Sequence, residues 1–493
     1  MRRWVEVRRG AYHDSVTLMR VSREVGDAAG VSGAMAAMAT ELNLELLGRM
    51  GFEVPAGAGP ADLVVAIRAD DDPALDAARG TLEELLRSSR ERRGGTAAEG
   101  VPGAAPPART TGAAARRRPE AGIALVSVPG PHVVPEAMDA LAAGLNVMIF
   151  SDNVPLEQEI ALKDAAARRG LIVMGPDCGT ALVGGAGLGF ANAVRPGPVG
   201  LVAASGTGAQ QVMCLLDAAD VGVGHALGVG GRDLSVEVSG RSALAALAAL
   251  DADPGTELIV LVSKPPAPQV ADLVREAARR LVTPVVFAFP GPDDDLTRAV
   301  ERALKRLGRS VPPWPRWPAS RLAPRRGAGG LRGLFSGGTL RDEAAAIITA
   351  ATGGDPAARG HLLVDFGDDA YTRGRAHPMI DPALRLEAVA RHAADPGCGM
   401  LLLDVVLGYG ADPDPAAALA PAIAAALERR DDLAVTVSLC GTPADPQGRD
   451  AQAAALSGAG ASVFASNAEA ARHAIRWCEG TPGTGEGTEG ADD

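Results

Sequence analysis

Short apolar runs and longer Ala-rich stretches follow one another along most of this chain, and their order predicts an α/β protein. Trp4 to Arg9 alternates apolar with charged residues in the period of an edge strand, and Asp14-Ser15 can cap a helix carrying Leu18, Met19 and Val21. Val31–Ala39 and Leu63–Ile67 read as further strands on either side of a helix near Asn43–Met50. Asp71-Asp72-Pro73 opens a helix to Arg93, with acidic residues and a proline suited to a first turn. These elements form a small N-terminal α/β domain over residues 1–92. Residues 93–119 hold Gly, Ala, Pro and Arg without an apolar period, which predicts a flexible linker. Arg116-Arg117-Arg118 within it reads as a phosphate contact or as a solvated basic stretch.

From Ile123 onward the period changes. Ile123–Val128, Asn146–Phe150 and Leu171–Met174 are predicted strands, with helices Pro135–Ala143 and Leu156–Arg169 between them, giving a domain over 120–196. Strands Val199–Ala203, His225–Val229, Leu258–Val262 and Pro284–Phe289 alternate with helices Gln210–Ala218, Arg241–Leu250 and Gln269–Arg280 in a domain over 197–310. Four to six apolar residues per strand, separated by helices, indicate βαβ repeats and parallel sheets covered on both faces. Prolines around Trp314-Pro315-Arg316-Trp317-Pro318 mark a second linker over 311–330. A last domain, 331–478, has strands at Gly333–Phe335, His361–Val364, Met400–Val405, Ala434–Leu439 and Ala461–Phe464. Its helices are Thr339–Thr352, Asp381–Ala394, Asp414–Arg429, Gly448–Gly458 and Asn467–Trp477, and residues 479–493 read as a disordered tail.

Composition narrows the function classes. Hydrophobic residues make up 47% of the chain but aromatic ones only 3%, so small aliphatic side chains do the packing. The net charge of −12 argues against a nucleic-acid surface. Five widely spaced cysteines without a Cys-x-x-Cys pair suggest neither a disulfide framework nor a zinc site and fit a reducing cytoplasm. The charged N-terminus lacks a signal-peptide core, and no run of about 18 apolar residues occurs, so a cytoplasmic protein without a membrane partner is expected.

Candidate chemistry gathers between Gly175 and Gly240, where small residues sit at strand-to-helix turns and let the backbone approach an anion. Ser205-Gly206-Thr207-Gly208 follows a strand and precedes a helix, so its N–H groups suit phosphate; an ordinary tight turn is the alternative. Gly175-Pro-Asp177-Cys178-Gly179-Thr180 lies at a sheet's carboxyl edge and shapes a pocket, with Cys178 a nucleophile or a small packed residue. Gly230-Gly231-Arg232 joins a flexible backbone to a guanidinium that can grip a carboxylate or phosphate, unless Arg232 and Asp233 form a surface turn. Lys264 adds positive charge to the site or is a solvated loop residue, and His225, inside an apolar strand, is structural. Asp365, Asp368, Asp369, Arg373, Arg375, His377 and Asp381 crowd one segment, with His377 the acid–base candidate at neutral pH; the alternative is a solvated loop in which Asp381 is a helix cap. Asp365, Asp368 and Asp404 show no metal-ligand spacing, so no metal is expected.

Phe150-Ser-Asp-Asn-Val-Pro-Leu-Glu157, Met174–Thr180, Val202–Gly208, Gly230–Ser235, Val262-Ser-Lys-Pro-Pro266, Asp365–Pro382 and Leu401-Leu-Leu-Asp-Val-Val406 together resemble the bacterial FdrA family over essentially residues 3–478. The resemblance implies a multidomain α/β protein of parallel-sheet Rossmann- and flavodoxin-like domains similar to succinyl-CoA synthetase. Residues 120–196 would be the CoA-binding-like domain, and 197–310 and 331–478 the two ligase-like domains. It also implies an oxamate carbamoyltransferase-like subunit, turning oxalurate and phosphate into oxamate and carbamoyl phosphate in allantoin catabolism, active in an oligomer with companion subunits. No cofactor beyond phosphate or carbamoyl phosphate is then required. Such a subunit would use His377, Arg232 and Asp368 in catalysis. Asp177, Cys178, Gly179, Ser205–Gly208, Gly230, Gly231, Lys264, Arg373 and Arg375 would bind phosphate and a small carboxylate substrate. The alternatives are an acyl-CoA ligase using CoA and nucleotide, and a non-catalytic regulatory subunit. Against nucleotide-driven ligation, Val285–Phe289 is followed by Pro290-Gly-Pro-Asp-Asp-Asp295, with no histidine before His361 where the synthetases carry a phosphohistidine.

Overall fold

The computed structural model describes residues 1–11, 13, 15–59, 61–93, 108–320, 329–372 and 375–479, which fall into two compact units. The predicted cap at Asp14, residues 94–107 and 321–328 of the two linkers, Arg373 and the tail from 480 lie outside the described residues.

The first unit comprises residues 1–108 and 368–380. Strand β1 (Arg2–Arg8), helix α1 (Ser15–Gly26), β2 (Val31–Met38), α2 (Glu41–Arg49), β3 (Leu63–Ala69) and α3 (Asp72–Arg93) follow in order. Antiparallel pairing in the order β1-β3-β2 puts β3 in the centre, which is why its sequence, Leu-Val-Val-Ala-Ile, is apolar on both faces. Leu63, Val65 and Ile67 face Leu18, Val21 and Val25 of α1 and Leu82 and Leu86 of α3. Val64 and Ala66 face Leu47 and Phe52 on the other side.

The second unit comprises residues 109–367 and 381–493. It opens with α4 (Thr111–Arg117), β4 (Ile123–Val126), α5 (Val133–Ala142), β5 (Asn146–Ile149), α6 (Leu156–Ala167) and β6 (Val173–Met174). The three strands form a parallel sheet in the order β4-β5-β6. Helix α4 stands where a flexible linker is expected. Thr110 caps it by accepting from Ala113 N, and Gly112 N–H donates to Asp139 on α5 at 2.6 Å, a docking too local and too Ala-rich to show as an apolar period.

Next come β7 (Thr180–Val183), β8 (Ala186–Gly189), β9 (Val199–Ala203), α7 (Gly206–Ala218), β10 (Val223–Gly228), α8 (Arg241–Asp251), β11 (Leu258–Val262), α9 (Pro268–Ala278), β12 (Val285–Ala288) and α10 (Leu296–Arg306). Their sheet runs β12-β11-β9-β10-β7-β8. Strands β12, β11, β9 and β10 are parallel, and the β7–β8 hairpin adds antiparallel to β10. The hairpin stands between Met174 and Val199, where the apolar pattern predicts no strand.

The remaining elements are β13 (Arg316–Trp317), β14 (Gly330–Phe335), α11 (Gly338–Thr352), β15 (Leu362–Asp365), α12 (Asp369–Thr372, within the first unit), α13 (Ala383–Ala393), β16 (Cys398–Val406), α14 (Pro415–Arg429), β17 (Ala434–Cys440), α15 (Arg449–Gly458), β18 (Ser462–Phe464) and α16 (Asn467–Glu479). They build the sheet β13-β18-β17-β16-β14-β15, parallel except for β13 at its edge. The two six-stranded sheets are joined through buried polar groups. Glu343 on α11 accepts from Leu296 N and from Asn467 Nδ2, both at 2.7 Å, and Asn192 Nδ2 donates to Asp445 at 2.8 Å. Among the described residues, no helix is long and apolar enough to cross a membrane.

Candidate anion-binding active site

Strand β9 lies between β11 and β10 with every residue buried, so its carboxyl end opens at the middle of the sheet. The chain turns at once into α7. Ser205, in an extended conformation, caps the helix by accepting from Gly208 N–H at 2.9 Å. Gly206, Thr207 and Gly208 are thus the first turn of α7, one turn earlier than the apolar period indicates, and not a loop before it.

A second helix start meets this one. Gly337 and Gly338 lead into α11, whose N-terminus has no side-chain cap. Ser205 Oγ and Thr339 Oγ1 lie 2.6 Å apart. A Cβ on Gly337 would stand 2.7 Å from Thr207 Cγ2, and one on Gly208 2.6 Å from Ser205 Oγ, so glycine is required by space at both positions. Each helix start carries roughly half a positive charge and unpaired N–H groups. Two such ends in contact repel one another, and an anion between them removes that cost.

The surroundings supply hydroxyl, ammonium and carboxyl groups. Thr180 Oγ1 would lie 3.3 Å from a Cβ on Gly206. Lys264, after β11, pairs with Asp342 of α11 at 3.3 Å, and its Nζ would be 3.1 Å from a Cβ on Gly338. Asp365 Oδ2, at the end of β15, would be 2.5 Å from that same Cβ. Beneath them, buried Asp404 accepts from Ser336 N, Ser336 Oγ and Gly337 N and is paired with Arg385 at 2.7 Å, which fixes the approach to α11. Burial raises the Asp404 carboxyl above its ordinary range, against the opposing charge of Arg385.

A neighbouring group of turns is closed on itself. Gly230 has φ +91°, and its Cβ would strike Pro176 O at 2.5 Å, while a Cβ on Gly228 would meet Cys178 Sγ at 2.5 Å. The 175–180 and 228–231 loops are therefore interlocked through missing side chains. Asp233 accepts from Ser242 N and Ala243 N at the start of α8 and from fully buried Lys163 at 2.7 Å. Lys163 also donates to Glu159 at 2.7 Å.

Comparison with known proteins adds the family. Residues 1–102 match the family model "AllF, heavy metal-associated domain", and residues 334–477 match "CoA-ligase". The Escherichia coli protein YahF is 36% identical over 94% of this chain and 96% of its own length. The chain belongs to the YahF family. Subunit alpha 2 of the ADP-forming succinate–CoA ligase of Archaeoglobus fulgidus is 25% identical over 39% of this YahF-family chain and 75% of its own length. ATP citrate lyase from Methanothrix soehngenii, solved with citrate and coenzyme A, aligns at a TM-score of 0.34 and 19% identity over 41% of this chain and 38% of that one. The FdrA resemblance thus stands at the level of an AllF-type N-terminal domain joined to a CoA-ligase domain in a YahF relative.

Within the YahF-family chain several expected roles change. Arg232 donates to Val154 O at 2.8 Å and pairs with Glu159 at 2.9 Å, so the carboxylate it grips is the protein's own. Cys178 is buried and donates to Thr180 O, and burial pushes its thiol up to about 12, which leaves it protonated and unfit as a nucleophile at neutral pH. Asp177 is exposed at φ +57°, Gly179 O accepts from Phe190 N at 2.8 Å, and Gly231 has open space around it. His225 Nδ1 accepts from Gly184 N at 3.2 Å and thereby holds the β7–β8 turn. Asp368, Arg375 and His377 belong to the first compact unit, whereas the two helix starts belong to the second. There Asp368 accepts from Ala370 N at 2.9 Å, Arg375 N donates to Thr372 O, and His377 Nδ1 accepts from Met379 N at 3.3 Å. Of the histidines in the second unit, His361 is buried at the opposite end of β14, accepting from Leu331 N, and His473 packs on Phe464. The metal suggested by the first family's description does not fit. Residues 1–102 contain no cysteine, and among the described residues no three His, Cys, Asp or Glu side chains cluster to hold an ion.

What sequence reading missed is the partner of the Ser205 turn. Gly337, Gly338 and Thr339 carry the same small-residue signal at a strand-to-helix turn, which could have marked them.

Proposed function

We propose that this chain performs the acyl–phosphate half of an acyl-CoA ligase reaction. The first turns of α7 and α11 hold the phosphoryl group of an acyl phosphate. A thiol attacks the carbonyl carbon, the C–S bond forms, the C–O bond to phosphate breaks, and the electron pair leaves with phosphate into the N–H groups of the two helices. The thiol's proton passes to the departing phosphate. The observation that carries this reading is the contact of the two helix starts through Ser205 and Thr339. The CoA-ligase match over 334–477 and the succinate–CoA ligase relative support CoA as the thiol and move the lead from carbamoyl transfer to acyl transfer. Supplied with its companion subunits and a short-chain acyl-CoA, the protein should release free CoA thiol only when phosphate, or arsenate in its place, is present. Thiol release that ignores both anions would refute the reading.

One observation favours a second reading. Asp295, not a histidine, ends the loop after β12 and caps α10, so a histidine relay from nucleotide has no residue there. Phosphate would then itself be the acceptor of a carbamoyl group from an oxalurate-like carboxylate. Phosphate release from oxamate plus carbamoyl phosphate by the same complex, with acyl-CoA inert, would establish this reading over the first.

A further inference from the structure

The acyl-transfer reading leaves one movement without a residue: the thiol's proton must reach the departing phosphate. Asp365 stands at the start of α11. Its Oδ1 accepts from Gly367 N at 2.9 Å, which fixes the carboxyl, and its Oδ2 occupies the space a Gly338 side chain would need, alongside Lys264 Nζ. Among the described residues, no hydrogen bond joins this oxygen to an N–H of the first turn of α11. We propose that Asp365 is the catalytic proton carrier of the phosphate site, taking the proton from the attacking thiol and passing it to the phosphate oxygen as the bond to carbon breaks. The proton lost by the acceptor is the one gained by phosphate, so Asp365 ends as it began. The inference rests on the phosphate site proposed above.

The charges around Asp365 suit the task. Burial, with the negative charge of Asp404 on β16 adding to it, pushes the carboxyl up to about 6 against the Gly367 N–H, Lys264 and Arg341 on α11. Lys264 is itself paired with Asp342, Arg341 also faces Asp342, and Asp404 is held by Arg385. A group so placed gains and loses a proton close to neutrality.

Sulfate is the probe, because its charge stays constant where Asp365 titrates. Calorimetry on the full chain should show sulfate affinity falling about tenfold from about pH 5 to about pH 7.5, as the carboxyl ionises beside the bound anion. Asp365→Asn should bind at the higher affinity throughout that range and lose the pH dependence. Lys264→Ala, which keeps the carboxyl, should bind more weakly and retain the slope. In the active complex, Asp365→Asn should lower kcat far more than it raises KM for phosphate and remove the limb of the pH profile near 6. A pH slope unchanged in Asp365→Asn overturns the role of Asp365 while leaving the phosphate site standing. Absence of sulfate binding at every pH overturns both.

Discussion

Two glycine-rich turns follow neighbouring parallel strands of one sheet, and they end in opposite ways. After β10, the chain supplies its own anion: Asp233 takes the first N–H groups of α8, Lys163 neutralises it, and Arg232 is occupied by Glu159. After β9, Ser205 satisfies one N–H of α7 with a hydroxyl, and the facing α11 has no side-chain cap. Glycine at a strand-to-helix turn permits anion binding in both places. What decides between a structural joint and a ligand site is whether a carboxylate has taken N–H groups inside the helix's first turn: Asp233 takes those of Ser242 and Ala243, whereas Asp404 takes Ser336 N and Gly337 N, just before α11 begins. The first turn is therefore expected to answer to mutation in stability, and the second in anion binding.

The largest effect should come from the closed turn. Lys163→Met leaves Asp233 buried without its cation and Glu159 with Arg232 alone, at a cost of about 3–5 kcal/mol. A urea titration measures it, and sulfate affinity of the remaining folded protein should be unchanged. The buried joint between the sheets gives the next. Burial raises the Glu343 carboxyl from 4.5 to about 7, with Asp295 adding to it. The folded state then holds more protons than the unfolded one between those values, so stability is full below the lower and falls as pH rises through the upper. The loss is on the order of 3 kcal/mol, and Glu343→Gln should flatten it in denaturation curves across that range.

Gly337→Ala tests the open turn by pushing a methyl against Thr207. It should cost about 1–3 kcal/mol in thermal unfolding and reduce sulfate affinity at least tenfold. Arg232→Ala comes last. Its side chain is half exposed, so loss of the Glu159 contact should cost about 1 kcal/mol or less and change anion affinity less than twofold. A large loss of binding there would erase the distinction between the two turns.

The architecture was legible because strands such as β9, β11 and β16, buried on both faces, are unbroken apolar runs. The β7–β8 hairpin was not read, although Gly184-Gly185, both at positive φ, stand between its strands as a two-residue turn. Helix α4 was hidden in a stretch whose composition matches a linker. At the site, the Ser205 turn could be recognised locally, but its contact with Thr339 spans 134 positions and leaves no local trace. The Arg232–Glu159 pair is hidden for the same reason, since nothing near Arg232 in the chain announces Glu159. Asp365 could be seen only as one of seven ionisable residues in a crowded segment, and nothing near it in the chain announces Gly338.

The most direct measurement is a crystal structure of the full chain grown with inorganic phosphate. Phosphate seated between the first turns of α7 and α11, accepting from N–H groups at 206, 207 and 338–340, is the predicted result. Phosphate held at Arg232 while the two helix starts stay closed on one another would contradict the account.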